Sequence, residues 1–502
     1  MDSVKFALKL KLRLKELLKV LVKRRKWLGN TVSVGLGLLM VLVMVLAFIR
    51  SHRNHCRGAA IEGEAEPSSF PWNPLDYPHK NESLSTGELN SKASLSLGNI
   101  IFVIQGSSKE WSRRKEFVKL WFRPGVMRGF VWMEENVPVE SDDDQFLPPI
   151  LVSDDSYALG IRLSMILLNT FRLRPPGAQW FVLCEDDTIF STKNLMSVLA
   201  KYDSTDLVYI GGNSESHHEN HGHAHAMAFS GAGIAISYGL AEALSIMLEA
   251  CLERYPQVRR NDNRLHACIT ELGVPITREQ GFHQFDIRGD AFGLLSAHPL
   301  TPFVSMHHVD QLQPVFPNHN SLDSLRTFMS AMETEPASFL QQAISYNHTE
   351  KLSFSISLGY VVQVFPSIMF PRELQDPQIT FRAWDWGDHP GEFSMNSRIY
   401  PQSPCNRPFL FYLKENFFDK EKDKILNIYE RYLMVDEHKA EHNCRFHSFS
   451  PKEVQKIHVM HKPFEQRWHL IPRRLCCNMR GKKDGVLTIS LDKCKRGQRI
   501  YS

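Results

Sequence analysis

Three adjacent carboxylates, Glu185, Asp186 and Asp187, close the apolar run Trp180-Phe-Val-Leu-Cys184. Neighbouring acids at the end of a buried strand repel one another, and a hard divalent cation such as Mn²⁺ or Mg²⁺ relieves that repulsion with oxygen coordination. In α/β sheets ligands bind outside the carboxyl ends of strands, where these acids fall. A solvated acidic turn is the competing reading of the triplet alone. Downstream, Val304-Ser-Met-His-His308 sets two imidazoles after an apolar segment, and either can complete a metal shell or serve structure. Phe229-Ser-Gly-Ala-Gly233 is a small-residue loop expected to enter a helix. There Gly231 and Gly233 would let backbone approach a phosphate, or simply make a tight turn. Asn261-Asp-Asn-Arg264 opens a predicted helix, with Asp262 as either its N-cap or a general base.

The elements that must position these groups alternate in type. Gly98–Ile104 reads as a buried strand ending in Gln105-Gly-Ser-Ser108. Ser112–Phe122 reads as a basic helix stopped by Pro124, and Gly129–Met133 as a strand. Helical spacing covers Ala158–Phe171, Leu240–Tyr255 and Arg264–Leu272, with Trp180–Cys184 and Leu207–Ile210 as strands between them. This pattern predicts an α/β layer structure with a mostly parallel sheet. After about residue 335 the chain turns to Phe-, Pro- and Cys-bearing segments with β character, such as Ser353–Phe365 and Gly485–Leu491.

The N-terminus carries an address. Trp27–Ile49 is uncharged and apolar, long enough at about 1.5 Å per residue to span a bilayer core of roughly 30 Å. Ten Lys and Arg against two acids precede it, a bias that keeps residues 1–26 cytosolic and sends the rest across as a signal anchor. That tail accounts for the chain's net charge of +4 and leaves the remainder acidic, so the basic balance offers no argument for nucleic acid. Residues 50–96, rich in Ser, Pro, Glu and Gly, read as a stem. All nine cysteines follow the span. The last five look like a small disulfide framework, and the odd total leaves at least one thiol outside the pairing. Five histidines between His217 and His225 invite a zinc reading, but their spacing suits a flexible loop better.

The ordered motifs resemble the fringe-related glycosyltransferases, specifically their plant-type branch. The likeness rests on Trp180–Thr188, Tyr209-Ile-Gly-Gly with Ser214-Glu-Ser-His217, Gly231-Ala-Gly233, Ala267–Pro275, Gly281-Phe-His-Gln284, Ala297-His-Pro299 and His307-His-Val-Asp310, and spans roughly Gly98–Tyr360. It implies a Rossmann-like GT-A nucleotide-sugar-binding fold over 97–334, with 335–502 as a β-rich, disulfide-bonded extension. It also implies a Golgi type II enzyme using a UDP-sugar and Mn²⁺, with inversion and a β-1,3 linkage to a glycan or glycoprotein acceptor. By resemblance, Asp187 and His308 (or His307) hold the metal. Glu185, Asp186, Ser107, Ser108, Arg113, Gly231 and Gly233 surround the donor, and Asp262 is the base. One departure stands out. Relatives carry two acids where this chain has Asp262-Asn263, and an amide at the second position is no base; a catalytically silent glycan-binding or scaffolding protein is therefore the alternative.

Two sequons, Asn81-Glu-Ser83 and Asn347-His-Thr349, test the topology. Endoglycosidase treatment is expected to collapse a mass shift that disappears when Asn81 and Asn347 are replaced. Protease cleavage at Asn347 in intact microsomes would overturn it.

Overall fold

The computed structural model describes residues 95–138, 145–153, 160–384, 392–433, 453–465 and 467–501. The candidate span at 27–49, the stem up to residue 94, the Asn81 sequon, Cys56 and Cys444 lie outside them. Among the described residues no helix is long and apolar enough to cross a membrane.

The first part forms eleven strands: β1 (Ile100–Gln105), β2 (Arg128–Met133), β3 (Ile150–Val152), β4 (Trp180–Glu185), β5 (Ile189–Phe190), β6 (Tyr209–Gly211), β7 (Ile234–Ser237), β8 (Ile276–Arg278), β9 (Phe282–His283), β10 (Ile287–Gly289) and β11 (Ser305–Met306). Seven build one sheet in the order β3-β2-β1-β4-β7-β6-β8. Pairing is parallel except along β7, which runs antiparallel to both β4 and β6. The continuous apolar sequences of β1 and β4 follow from burial on both faces. Ile100, Phe102, Trp180 and Val182 enter one core with the Trp111–Trp121 helix. Ile101, Val103, Phe181 and Leu183 enter another with the helices Arg162–Arg172, Tyr238–Arg254 and Asn261–Glu271. A smaller sheet, β5-β11-β9, lies at the carboxyl end of β4 and carries the segment that precedes His307 and His308.

The remaining strands are β12 (Gln342–Asn347), β13 (Leu352–Ser357), β14 (Val361–Phe365), β15 (Gln378–Ile379), β16 (Phe381–Ala383), β17 (Arg398–Ile399), β18 (Phe409–Asp419), β19 (Lys424–Tyr432), β20 (Lys456–His461), β21 (Cys476–Lys483) and β22 (Val486–Asp492). Eight form a sheet in the order β12-β13-β14-β18-β19-β20-β22-β21, antiparallel except for β20 with β22. Its apolar face joins the core that already holds the Trp111–Trp121 helix and β1. The pair β10-β16 ties the segment before Trp384 to the first part.

The structure corrects three expectations. The glycine loop enters β7 rather than a helix. Ser237, the last residue of that strand, caps the helix Tyr238–Arg254 by accepting the Leu240 amide at 3.2 Å, so no helix dipole meets Gly231 or Gly233. The Asn261–Glu271 helix is preceded by Arg260, which places Asp262 inside the first turn and not at the cap. The histidine-rich segment is a short helix, His217–Gly222, capped by Ser216, rather than a loop. Four of the last five cysteines lie among the described residues. Cys476 pairs with Cys494 and Cys405 is disulfide-bonded, but Cys477 is a free thiol, as is buried Cys184. Another bridge, Cys251–Cys268, joins the helices Tyr238–Arg254 and Asn261–Glu271.

That bridge closes a 17-residue separation and fixes the helix that bears Asp262. Replacing both cysteines by alanine is expected to cost about 3 kcal/mol of stability. Urea unfolding of the full chain measures it, and an unchanged midpoint would contradict the expectation.

Candidate metal centre

β4 ends at Glu185, and the turn after it turns Asp186 and Asp187 back into the protein, where both are 1% exposed. Asp187 Oδ1 lies 3.1 Å from His307 Nε2, and Asp187 Oδ2 lies 3.7 Å from His308 Nδ1. Candidate ligand atoms of Asp187, His307 and His308 all fall within 4.8 Å of one another. The sequence pairs Asp187 with one of the two histidines; the structure brings both histidines to Asp187.

The orientation of His307 suits a ligand. Its Nδ1 lies 3.2 Å from the Gln284 carbonyl, where a ring nitrogen can act only as a donor. In the neutral ring that leaves the Nε2 lone pair facing Asp187. Neither Asp187 oxygen nor His307 Nε2 completes a hydrogen bond among the described residues, although all three are buried. Two electron-rich groups so placed need a proton or a cation between them, and a divalent ion fits this donor set. Gly231 makes the arrangement possible, because a Cβ there would come 2.1 Å from His307 Nδ1. Gly233, at φ +98°, packs on Phe190 instead of facing the carboxylates.

His308 takes a left-handed conformation, φ 52°. Its Nε2 lies 3.2 Å from Asp286 Oδ1, and its ring stacks on Trp384 with centroids 4.1 Å apart. The Arg288 guanidinium sits 4.4 Å from the Trp384 ring. Asp286 also accepts the Ser214 hydroxyl at 2.5 Å.

Arg114 balances the acids. It reaches Asp186 Oδ1 at 2.9 Å, Asp187 Oδ2 at 3.1 Å and the buried Asp310 Oδ2 at 2.9 Å. Arg113, chosen from sequence, is half exposed and is held by Glu110 and Asp310 instead. The apolar stripe gave the signal that distinguishes them: Trp111, Val118 and Trp121 are buried, and Arg114 falls on their face at helical spacing. Ser107 donates its amide to Asp186 Oδ2 at 2.8 Å, whereas the Ser108 amide turns to Glu134 at 3.1 Å. Gln284 and Asp310, the ends of two of the motifs, join the site, as do Ser230 and Trp384, which no motif marks as site residues.

These contacts set the charges. Burial works to raise the Asp187 carboxyl, yet His307 and then Arg114 hold it well below the ordinary range. Burial opposes charge on His307 as well, but Asp187 and Glu185 lift its imidazole well above the usual value. Asp186 is pushed up to about 6 by burial, against the Ser107 amide and Arg114. Ser230 donates to Glu185 Oε1 at 3.0 Å. Burial, then the Glu185 charge, push Asp262 up to about 7. Asn263, next to it, lines the same first turn with no carboxylate to offer.

Residues 219–477 match the family described as proteins of unknown function, DUF604, and the chain belongs to that family. The match takes in Gly231, Asp262 and both histidines and begins beyond the acidic turn. No curated protein matches the chain. Among solved structures, the crystal structure of mouse xyloside xylosyltransferase 1 in its apo form is 8% identical, covering 34% of this chain and 81% of that one. Its TM-score is 0.23, and at that value the likeness carries no argument.

The contact of Gly231 with His307 yields a test. Gly231→Ala must push the imidazole out of its position, and loss of one neutral ligand is expected to weaken Mn²⁺ binding by about tenfold or more. Titration calorimetry on the full chain measures this; unchanged Mn²⁺ affinity would contradict the assignment.

Proposed function

We propose that this chain is a metal-dependent glycosyltransferase of GT-A type, moving a hexose or N-acetylhexosamine from a UDP-sugar to a glycan or glycoprotein hydroxyl. The observation that carries the reading is the Asp187–His307–His308 group, its first two members buried, at the carboxyl end of a central α/β strand. The fringe-related motifs support the same reaction class, and the basic tail with its apolar segment supports a single-pass Golgi membrane protein with its catalytic part in the lumen.

In the proposed reaction the acceptor oxygen attacks the anomeric carbon as the bond from that carbon to the diphosphate oxygen breaks. The leaving group takes the bonding electron pair, so one displacement inverts the centre. Asp187, His307 and His308 would hold a divalent ion, whose chemistry is to stabilise negative charge on the diphosphate. Arg114 keeps Asp186 and Asp187 in place, and the Ser107 loop bounds the nucleotide side. The acceptor proton passes to Asp262, whose raised pKa suits a base working near neutral pH. Asn263 favours the second reading, a silent glycan-binding protein.

Release of UDP by the purified full chain, across UDP-sugars with Mn²⁺, tests the reading; no release from any donor favours the silent alternative. Turnover is expected to rise with pH as Asp262 loses its proton, with a midpoint at or below about 7 because a bound cation lowers it further. Asp262→Asn is expected to cut turnover by about 10² to 10⁴ while sparing UDP binding. A silent Asp262→Asn together with a large gain from Asn263→Asp would remove Asp262 as the base.

A further inference from the structure

A groove of about 630 Å³ opens between the first part of the chain and the second sheet, within the range of about 300 to 1,000 Å³ usual for small-molecule sites. Its lining includes Tyr400, Tyr412, Tyr432, Asp290, Gln313 and His319. We propose that this groove is a subsite for a neutral oligosaccharide, the part of the acceptor glycan beyond the sugar that receives the transfer. The inference rests on the transferase reading above for the word acceptor, but not for the binding itself.

The chemistry of the wall selects the ligand. Among the described lining residues there is no lysine or arginine, although Arg407 packs on the ring of Tyr400 at 5.2 Å, and Asp290 adds negative charge, which disfavours nucleotides and phosphates. Tyrosine faces offer flat apolar surface to the C–H faces of a sugar ring, while carboxylate, amide and imidazole groups match its hydroxyls. Several of those polar atoms are unused. Asp290 Oδ1 accepts the Phe292 amide at 2.9 Å, and its second oxygen has no partner among the described residues. Neither Tyr412 nor Tyr432 hydrogen-bonds another described residue through its hydroxyl. By contrast the neighbouring Tyr360, a fully buried core tyrosine, donates to the Val315 carbonyl at 3.0 Å. Burial raises the Asp290 pKa, as expected for a carboxyl sunk in the wall with one oxygen unpaired.

The groove is also connected to the metal centre by two stretches of chain. The chain through β10 leads from Asp286, which contacts His308, to Asp290 in four residues, at most about 14 Å. The second stretch leaves Asp310, the partner of Arg114, and reaches Gln313 three residues later. Its amide donates to the Gly289 carbonyl at 2.8 Å, locking the two stretches together.

Titration of the purified full chain with β-linked galactobiose, chitobiose and xylobiose, followed by saturation-transfer NMR, tests the site. At least one disaccharide is expected to bind. Asp290→Asn keeps the bond to the Phe292 amide, and Gln313→Ala removes an exposed side chain, so both should fold. Each is expected to weaken the disaccharide by about tenfold, the worth of one hydrogen bond to a charged or well-placed group, with Mn²⁺-dependent UDP binding unchanged. Binding of none of the three, or binding that both variants leave intact, would overturn the inference. Disaccharide binding lost in the variants of a chain that turns over no UDP-sugar would sink the transferase reading and leave the subsite standing. Turnover with an acceptor KM that the variants leave unchanged would do the reverse.

Discussion

The approach of a buried carboxylate to a buried imidazole, Asp187 to His307, is the constraint on which the rest of this structure depends. Burying either group alone is costly, and the pair is tolerated here when a proton or a cation lies between them. The surrounding chain holds that pair in register. The Gln284 carbonyl fixes the imidazole tautomer, Gly231 clears the space for the ring, and Arg114 supplies the positive charge that three acids in one place demand. Losing the carbonyl or the guanidinium would leave the imidazole or the acids without their charge partner, and a side chain at Gly231 would displace the ring.

The same region separates its carboxylates by environment. Asp187 stays ionised beside His307 and Arg114, Asp186 rises to about 6, and Asp262 rises to about 7 beside Glu185. Acids pushed apart in this way can divide the work between holding a cation and accepting a proton. Asp262 is available for the second task because it lies within the first turn of its helix, with Oδ1 buried and unpaired, rather than occupied as a cap.

Much of this was legible in the sequence, for physical reasons. The buried strands β1 and β4 read as unbroken apolar runs because both faces are covered, and the acid triplet announced the strand end. The order of strands and helices followed from alternating periodicity. What the sequence hid depended on direction. A strand of four small and apolar residues, Ile234–Ser237, reads like the start of a helix, so the antiparallel β7 escaped notice. Trp384 reaches His308 from some 76 positions away, through the β10-β16 pairing, and no local pattern reveals such a contact. Cys476 and Cys477 look alike in sequence, but only Cys476 faces Cys494.

The most direct measurement is diffraction from crystals of the protein grown with Mn²⁺ and UDP, recorded at the manganese edge. The account predicts one anomalous peak bounded by Asp187, His307 and His308, with UDP phosphate oxygens completing its shell. UDP bound with no peak there, or an ion held by other residues, would contradict it.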